Sequence, residues 1–267
     1  MLTVVKFGGS ILAHGVPDSL IVDIAKLNPK ETVVVHGGGP EVNELSRRLG
    51  VEPRFVVSPD GIKSRYTDSE TMEIFVMAMK GQINTEIILK LSANGVKAAG
   101  ISGTDAGTIV AQRKKKLLTM NDKGRKMVIE GGYTGTIQDV NGVLLESMLT
   151  SGIMPVVSPI ALGTEFEALN IDGDRAAAGI AGKLRANVLI LLTNVDGLLR
   201  NGNVVPHLNL EEAHEEIKKV GNGMDKKILA ATEAIKAGVN KVVIANGLVS
   251  DPVTRALNNI GTVITHD

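Results

Sequence analysis

The sequence predicts an α/β fold with a mainly parallel sheet, and a repeated local pattern leads to that prediction. Short runs rich in Val, Ile and Leu recur along the chain, each is followed by a glycine-rich or polar turn, and each turn precedes a helix-like segment. β-Branched runs that alternate with helices are typical of βαβ units, whose parallel strands lie buried between helices. The predicted strands are residues 3–6, 32–35, 154–158, 188–192 and 242–245.

The helices between these runs have start and stop signals. Pro40 follows three glycines and opens the segment PEVNELSRRLG, which fits proline in the first helical turn and glycine at the end. The segment TDSE at 67–70 fits a capping box, and the apolar spacing after it predicts a long helix to about Leu91. The methionine-rich stripe of this helix fits either the core or a subunit interface.

Between Thr108 and Val140 the pattern changes to short antiparallel strands. Residues 108–110, 126–129 and 133–137 are predicted strands, and turn residues at 121–124 and 131–132 separate them. We therefore expect β-hairpins inserted in the parallel-sheet fold, where such hairpins often form a lid or a partner surface.

Composition and charge exclude several classes of protein. The 267 residues contain 29 Lys and Arg against 29 Asp and Glu, and 43% of them are hydrophobic, which excludes disorder. The absence of cysteine excludes disulfides, zinc ribbons, thiolate nucleophiles and iron–sulfur ligation. Balanced charge and 2% aromatic residues disfavour nucleic-acid binding. Because no apolar run reaches the roughly 18 residues of a membrane span and no signal peptide is recognisable, we expect a cytoplasmic enzyme.

Two glycine clusters directly follow predicted strands, KFGGS at 6–10 and HGGGP at 36–40. Glycine lets backbone N–H groups approach an anion closely, and a following helix N-terminus adds the positive end of its dipole. Either cluster alone fits a tight strand-to-helix turn, whereas two in matching positions indicate a polyphosphate and a second anion. The Walker, GxGxxG, HExxH and GxSxG motifs are all missing, which disfavours P-loop, dinucleotide-binding and hydrolase functions.

Two further segments have charged residues at predicted helix starts. LNIDGD at 169–174 precedes an alanine-rich helix, where Asp172 or Asp174 fits a simple helix cap. The functional alternative is that Asn170 directs an amide at a substrate while Asp174 lies between two lysines. GMDKK at 223–227 leads into another amphipathic helix, where a lone lysine is usually solvated; its functional weight rises because Lys6 also adjoins a glycine turn.

Together these motifs resemble those of the amino-acid kinase family, and within it the N-acetylglutamate kinase group. The resemblance runs over essentially the whole chain. It rests on KFGGS at 6–10, VVHGGGP at 34–40, SRYTD at 64–68, LNIDGD at 169–174, LLTNVDGLL at 191–199 and GMDKK at 223–227. It implies one domain, residues 1–267, folded as an open three-layer αβα sandwich. The acceptor substrate is then expected in an N-terminal lobe, 1–160, which also carries a dimer-forming helix, and ATP in a C-terminal lobe, 161–267.

The resemblance also implies the chemistry, in which a substrate carboxylate attacks the γ-phosphate of ATP. Lys6 and Lys227 are the implied charge-stabilising pair and Asp174 holds them, with Lys226 replacing Lys227 if the register slips by one. Mg²⁺ is expected mainly on the ATP phosphates, with no metal site in the protein. The implied acceptor-site residues are Gly38, Gly39, Arg65 and Asn170. The implied ATP-site residues are Gly8, Gly9, Asn194, Asp196, Gly197, Leu198, Gly223 and Met224. Asn194 stands where many relatives have aspartate.

The segment SPDGIKSRYTD at 58–68 bears on the choice of substrate. Kinases for free N-acetylglutamate usually have a shorter Gly-apolar-Arg-x-Thr element. The longer form looks like the branch that acts on 2-aminoadipate or glutamate attached to the acidic carrier protein LysW, in lysine and, in some lineages, arginine biosynthesis. A kinase for free N-acetylglutamate and a non-catalytic nucleotide or amino-acid sensor stay open as alternatives.

A basic segment supports the carrier hypothesis independently. Residues 113–126 contain seven basic side chains against one acidic one. This excess predicts a dock that steers an acidic protein towards the substrate, although a solvated hairpin is the simpler alternative. The expected docking residues are Lys63, Arg113, Lys114, Lys115 and Lys116. A homodimer is also expected, without nucleic-acid or membrane partners.

Overall fold

A computed structural model of the chain describes residues 1–59, 61, 63–120, 124–221 and 223–267. In this part of the chain one eight-stranded sheet has helices on both faces, so the predicted α/β fold is confirmed. Some residues of the predicted motifs lie outside the described residues: Asp60, Ile62, Asn121, Asp122, Lys123 and Asn222.

The strands of the described residues are short, mostly two to six residues long. In chain order they are β1 Thr3–Phe7, β2 Thr32–His36, β3 Phe55–Val57, β4 Lys63–Arg65, β5 Ala98–Ser102, β6 Ile109–Arg113, β7 Lys116–Met120, β8 Lys126–Glu130, β9 Gly135–Val140, β10 Met154–Ser158, β11 Ile160–Gly163, β12 Ala168–Asn170, β13 Val188–Thr193, β14 Leu199–Arg200, β15 Asn203–Val204, β16 His207–Leu208, β17 Lys241–Asn246 and β18 Thr262–Ile264.

The helices of the described residues connect these strands and include one π-helical segment, Met77–Ile83. They are α1 Gly9–Leu12, α2 Asp18–Ala25, α3 Gly39–Arg48, α4 Ser69–Val76, α5 Asn84–Ala93, α6 Val143–Thr150, α7 Gly173–Lys183, α8 Leu210–Ile217, α9 Met224–Lys236 and α10 Pro252–Leu257.

The main sheet has the strand order β16-β18-β17-β13-β1-β2-β10-β5. All neighbouring pairs are parallel except β17 and β18, and the five strands predicted for the parallel sheet are all among its members. Strands from the first 160 residues form one half of the sheet and later strands form the other half. The carboxyl ends of β1, β2, β10, β13 and β17 therefore meet at one edge, where ligands bind in open α/β sheets.

Alternating side chains of β1 divide the core between the two faces of the sheet. Val4 packs into a cluster with residues of α6, α7, α8 and α9, whereas Val5 and Phe7 pack against residues of α1–α5 and α10. Period-two alternation places successive side chains on opposite faces, and in this strand both faces are apolar and buried. The result is the three-layer arrangement that the family resemblance implied.

The long helix predicted after residue 67 exists, with two differences in detail. Its N-cap is Asp68, whose side chain accepts a hydrogen bond from the Thr71 amide at 2.9 Å, instead of Thr67 as a capping box requires. The π-helical segment interrupts it between α4 and α5, and no feature of the apolar spacing indicates this. The methionine-rich stripe is mostly core: Met72, Phe75, Met79, Ile83 and Ile87 are at most 4% exposed.

The inserted hairpins are present, but their pairing differs from the simplest expectation. Strand β6 pairs antiparallel with β9, and the hairpin β7–β8 lies between them in sequence. The sequence pattern does not predict strand β7, because its two leucines between Lys116 and Thr119 form too short an apolar run to indicate a strand. The separate hairpin β3–β4, which contains Lys63, contacts β7 through its strand β3.

Candidate active site

Three charged side chains meet at the carboxyl edge of the main sheet. Lys6 Nζ lies 2.6 Å from Asp174 Oδ1, and Lys227 Nζ lies 3.0 Å from Asp174 Oδ2. The side chains of Lys6, Asp174 and Lys227 are only 8%, 9% and 12% exposed. This group of Lys6, Asp174 and Lys227, called the lysine–aspartate triplet below, is thus a largely desolvated site with one net positive charge.

Separate structural elements position each member of the lysine–aspartate triplet. Lys6 lies in β1, and its ammonium passes over Gly8, where a Cβ atom would stand 2.8 Å from Nζ. Asp174 lies in the first turn of α7, which Asp172 caps by accepting hydrogen bonds from the amides of Asp174 and Arg175 at 2.9 and 3.0 Å. The cap role and the lysine-binding role therefore fall on different aspartates.

Burial and charge together set the protonation of the lysine–aspartate triplet. Although burial alone would raise the pKa of Asp174, the charges and hydrogen bonds of Lys6 and Lys227 hold that pKa well below its ordinary value. Burial and the charge of Lys6 lower the pKa of Lys227, and Asp174 partly offsets this. Asp174 is accordingly a permanent carboxylate that keeps two ammonium groups side by side.

The alternative register, with Lys226 in place of Lys227, is not the one observed. Lys226 Nζ donates a hydrogen bond to the backbone carbonyl of Lys63 at 3.1 Å. This contact crosses from α9 to the hairpin β3–β4, in a position open to solvent. Two lysines adjacent in sequence thus point to different places, one into the triplet and one onto the neighbouring hairpin.

The buried His36 supports the second glycine cluster, HGGGP at 36–40. This histidine is fully buried, its Nδ1 lies 2.9 Å from the Gly37 carbonyl, and its Nε2 lies 3.1 Å from Asn84 Nδ2. Burial lowers its pKa to about 4, so His36 is neutral near pH 7. A neutral ring that donates from Nδ1 and accepts at Nε2 satisfies both contacts. His36 is therefore a structural support and is not placed to act as a base.

The predicted acceptor-site residues lie around the start of α3. Gly38 is the N-cap of this helix and Gly39 its first residue. Arg65 Nη2 donates to the Gly39 carbonyl at 2.9 Å, while its Nη1 is buried without a hydrogen-bond partner in the described part of the chain. Asn170 Nδ2 donates to Thr67 Oγ1 at 2.9 Å. Arg65 and Asn170 are thus each attached to a neighbouring segment of the same site.

The predicted ATP-site residues lie at the ends of β1 and β13 and at the start of α9. Gly8 and Gly9 follow β1, Asn194 and Asp196 follow β13 and are exposed, and Gly223 is the N-cap of α9, directly before Met224. Leu198 differs from the rest, because it is 1% exposed and its amide donates to Thr262 Oγ1 at 2.8 Å. Its neighbour Gly197 is also buried.

Residues 1–246 match the amino acid kinase family. The chain belongs to the amino acid kinase family. A LysW-aminoadipate/LysW-glutamate kinase of Saccharolobus solfataricus is 46% identical over 266 residues, 99% of this chain and 100% of that protein. A Nitrosopumilus maritimus protein provisionally given the same name is 52% identical over 269 residues, 100% of both chains. The solved structure of smu.665 from Streptococcus mutans has a TM-score of 0.79 at 26% identity, covering 100% of this chain and 99% of that one. The predicted family, fold and phosphotransferase class are confirmed.

The predicted docking residues of this kinase differ in how freely they face solvent. Lys114 and Lys116 are exposed, and Lys115 Nζ lies 3.0 Å from Glu165 Oε1 in an exposed ion pair. Lys63 Nζ lies 4.8 Å from the centre of the Phe55 ring. Arg113 is turned inwards instead: its Nε donates to the Gly132 carbonyl at 2.6 Å and its guanidinium lies 4.1 Å from the centre of the Tyr133 ring.

Several residues around the site had not been singled out from the sequence. Asn246 Nδ2 donates to Asp196 Oδ1 at 2.9 Å, and Arg175 forms a two-point ion pair with Glu233 at 2.7 and 2.9 Å, joining α7 to α9. Asn246 follows a predicted strand and precedes a glycine, so its position was a usable signal. The pairing of Arg175 with Glu233, by contrast, depends on how two helices pack, and local sequence carries no signal for it.

No three His, Asp or Glu side chains in the described ranges are grouped so that they would hold a metal ion. Among the described helices, none is long and apolar enough to cross a membrane.

Proposed function

We propose that this kinase transfers the γ-phosphate of ATP to the side-chain carboxylate of 2-aminoadipate, and also of glutamate, linked through its α-amino group to the small acidic carrier protein LysW. The full-length similarity to kinases of that name supports the substrate. The lysine–aspartate triplet is the single observation that carries the chemistry, because it supplies two desolvated ammonium groups at the edge where ligands bind. The product serves lysine biosynthesis and, with glutamate, arginine biosynthesis.

The reaction needs charge stabilisation more than proton transfer. A carboxylate oxygen of the acceptor attacks the γ-phosphorus, the bond to the β,γ-bridging oxygen breaks, and an acyl phosphate and ADP form. The nucleophile is already ionised, since carboxyl pKa values lie near ~4. This agrees with the neutral, fully occupied His36. Lys6 and Lys227 neutralise the transferring phosphoryl group, and the amides of Gly8, Gly9 and Gly38 add preorganised donors.

The two substrates are assigned to the two sides of the lysine–aspartate triplet. The acceptor lies by Gly38, Gly39, Arg65 and Asn170, where the unpartnered Nη1 of Arg65 offers a donor to a carboxylate in the described site. ATP lies by Asn194, Asp196, Gly197, Gly223 and Met224, with Leu198 shaping the site from within the core. Mg²⁺ bound to the ATP phosphates would supply charge neutralisation there.

The basic hairpin β7–β8 and the adjoining hairpin β3–β4 form the proposed dock for the carrier protein. Lys63, Lys114, Lys115 and Lys116 supply its charge, and an acidic partner would be steered towards Arg65 of the same region. The protein works in the cytoplasm as a homodimer. The dimer contact is proposed along α4 and the start of the π-helical segment, where Met77 is 53% exposed beside an apolar groove lined by Met72, Val76 and Ala168.

The test of the function is a comparison of acceptors. The purified kinase is incubated with MgATP and LysW-linked aminoadipate, LysW-linked glutamate or free N-acetylglutamate, and acyl phosphate is trapped as the hydroxamate. The proposal expects product with carrier-linked acceptors and at most weak activity with the free one. Efficient turnover of N-acetylglutamate alone would overturn the substrate, and no turnover of any acceptor would favour the sensor alternative.

A further inference from the structure

The segment Gly131, Gly132, Tyr133 and Thr134, called the GGYT segment below, joins the basic hairpin to the proposed acceptor site. On the hairpin side, the Gly131 amide donates to the Lys115 carbonyl at 3.0 Å and the Lys114 amide donates to the Thr134 carbonyl at 2.9 Å. On the site side, the Tyr133 amide donates to the Thr67 carbonyl at 2.6 Å, and the Asn170 amide donates to the Tyr133 carbonyl at 2.8 Å. Four consecutive residues therefore connect the two regions through backbone hydrogen bonds.

The two glycines show how closely this segment is inserted. A Cβ atom on Gly131 would lie 1.5 Å from the Lys114 carbonyl oxygen, and one on Gly132 would lie 2.2 Å from the Thr67 carbonyl oxygen. Gly132 also has a φ of +59°, in the left-handed region that favours glycine. Both close contacts are with backbone atoms, so a displacement of the GGYT segment moves Thr67 and, through Tyr133, Asn170.

Arg113 holds the GGYT segment from the hairpin side. Its Nε donates to the Gly132 carbonyl at 2.6 Å, and its guanidinium covers the Tyr133 ring at 4.1 Å. The planar guanidinium suits this combination, because it stacks on an aromatic face while its edge donates a directed hydrogen bond. A lysine keeps the positive charge but has neither the Nε donor nor the flat face.

The position of Asn170 depends on the same contacts. Its backbone amide is bound by Tyr133, and its side-chain Nδ2 donates to Thr67 Oγ1 at 2.9 Å. The Thr67 carbonyl in turn accepts a hydrogen bond from the Tyr133 amide. Arg113 is therefore three contacts away from the side-chain amide of Asn170, with Tyr133 and Thr67 between them.

We infer that Arg113 and Tyr133 are positioning residues that set the Asn170 amide for the acceptor substrate, and that Arg113 is not part of the carrier dock. The inference rests on the proposed function for the role of Asn170. It separates Arg113 from Lys114, Lys115 and Lys116, although the four are consecutive and equally basic in sequence. A dock needs only their charge, whereas positioning needs the shape of the guanidinium.

The test compares Arg113→Lys with Arg113→Gln in the full-length enzyme, using MgATP and LysW-linked glutamate. Positioning expects both variants to lower kcat by about tenfold, the size typical of a lost hydrogen bond to a charged donor. Because Arg113 lies outside the dock in this inference, the KM for the carrier substrate should keep its wild-type salt dependence in both variants. Arg255→Lys, at an exposed arginine of α10, is the matched control and should keep the wild-type kcat.

A second pair of variants tests the aromatic partner. Tyr133→Leu should lower kcat as Arg113→Lys does, whereas Tyr133→Phe keeps the ring under the guanidinium and should restore most of that loss. Combining Arg113→Lys with Tyr133→Leu should cost clearly less than the product of the single effects, because both act through one contact. Thermal midpoints of all variants distinguish misplacement from unfolding.

The opposite outcomes would overturn the inference. If Arg113→Lys matches wild type while Arg113→Gln raises the KM and flattens its salt dependence, Arg113 is a docking charge. If Tyr133→Phe loses as much kcat as Tyr133→Leu, the stacked ring is not the positioning element. Should wild type phosphorylate only free N-acetylglutamate, the proposed carrier substrate fails, and kcat of the same variants on that acceptor still decides the role of Arg113.

Discussion

The lysine–aspartate triplet and the basic hairpin are both rich in lysine, yet they use it in opposite ways. In the triplet two ammonium groups are nearly buried and share one carboxylate. On the hairpin, Lys114 and Lys116 are exposed, and the ion pair of Lys115 is exposed as well. Buried charges interact through a low dielectric and escape salt screening, whereas exposed charges act at longer range and weaken with ionic strength. Under the proposed function, burial rather than charge therefore separates the catalytic lysines from the docking lysines.

The largest expected effect comes from removing one charge of the triplet. Lys227→Met keeps the length and apolar stem of the side chain but removes the ammonium that we propose faces the transferring phosphoryl group. We expect kcat to fall by about 10²–10³-fold, as for loss of a preorganised oxyanion donor. Steady-state ADP release with carrier-linked substrate measures this. Lys236→Met, at an exposed position of the same helix, is the control, and a comparable loss there would mean that helix packing was damaged instead.

The second prediction concerns pH. Burial lowers the pKa of Lys227 below its ordinary value of 10.5, and in the proposed mechanism only the protonated form stabilises the phosphoryl group. We expect kcat/KM for ATP to decline on the alkaline side, at lower pH than an exposed lysine would cause. Lys227→Arg keeps a charge that does not titrate there, so its remaining activity should extend to higher pH. The same alkaline decline in wild type and Lys227→Arg would assign it to another group.

The same lowered pKa of Lys227 should make the protein more stable as the pH rises, whereas activity should fall. Between the lowered folded pKa and the ordinary unfolded one, the unfolded lysine binds more protons than the folded one. The free energy of unfolding contributed by Lys227 therefore rises with pH through that window. Activity and stability should diverge there, which denaturant titrations at several alkaline pH values would measure in parallel with the kinetics.

Variants of the basic hairpin should change KM instead of kcat, and high salt should abolish the change. The triple variant of Lys114→Gln, Lys115→Gln and Lys116→Gln should raise the KM for carrier-linked substrate about fivefold at low salt and leave kcat unchanged. At high salt the difference should vanish. A variant with Lys30, Lys97 and Lys236 changed to Gln has the same net charge and serves as control. An unchanged KM at low salt in the Lys114–116 variant would show that these lysines do not form a dock for the carrier protein.

Features that depend on residues near one another in sequence, such as strands and helix caps, could be predicted from the sequence. Five of the eight strands of the main sheet were recognisable because β-branched runs were followed by glycine or polar turns. Both Asp172 and Asp174 fitted a helix cap, and only the packing of α7 against β1 and α9 separates them. The roles of Lys6, Asp174 and Lys227 came from the family resemblance, since nothing local joins residues so far apart. The π-helical segment and the inward turn of Arg113 had no sequence signal, because both depend on tertiary contacts.

The smallest expected effect is that of changing Lys226, the neighbour of Lys227. Comparing these two adjacent lysines tests most directly whether burial identifies the catalytic one. Lys226 forms a solvent-open hydrogen bond to the Lys63 carbonyl at 3.1 Å, which links α9 to the hairpin that carries Arg65. Water competes for such a bond, so Lys226→Gln should lower kcat/KM for the carrier substrate only about threefold. Lys236→Gln on the same helix is the control. If Lys226→Gln instead cost about a hundredfold and Lys227→Met little, the register of α9 at the phosphoryl group would be shifted by one residue, and burial would no longer identify the catalytic lysine.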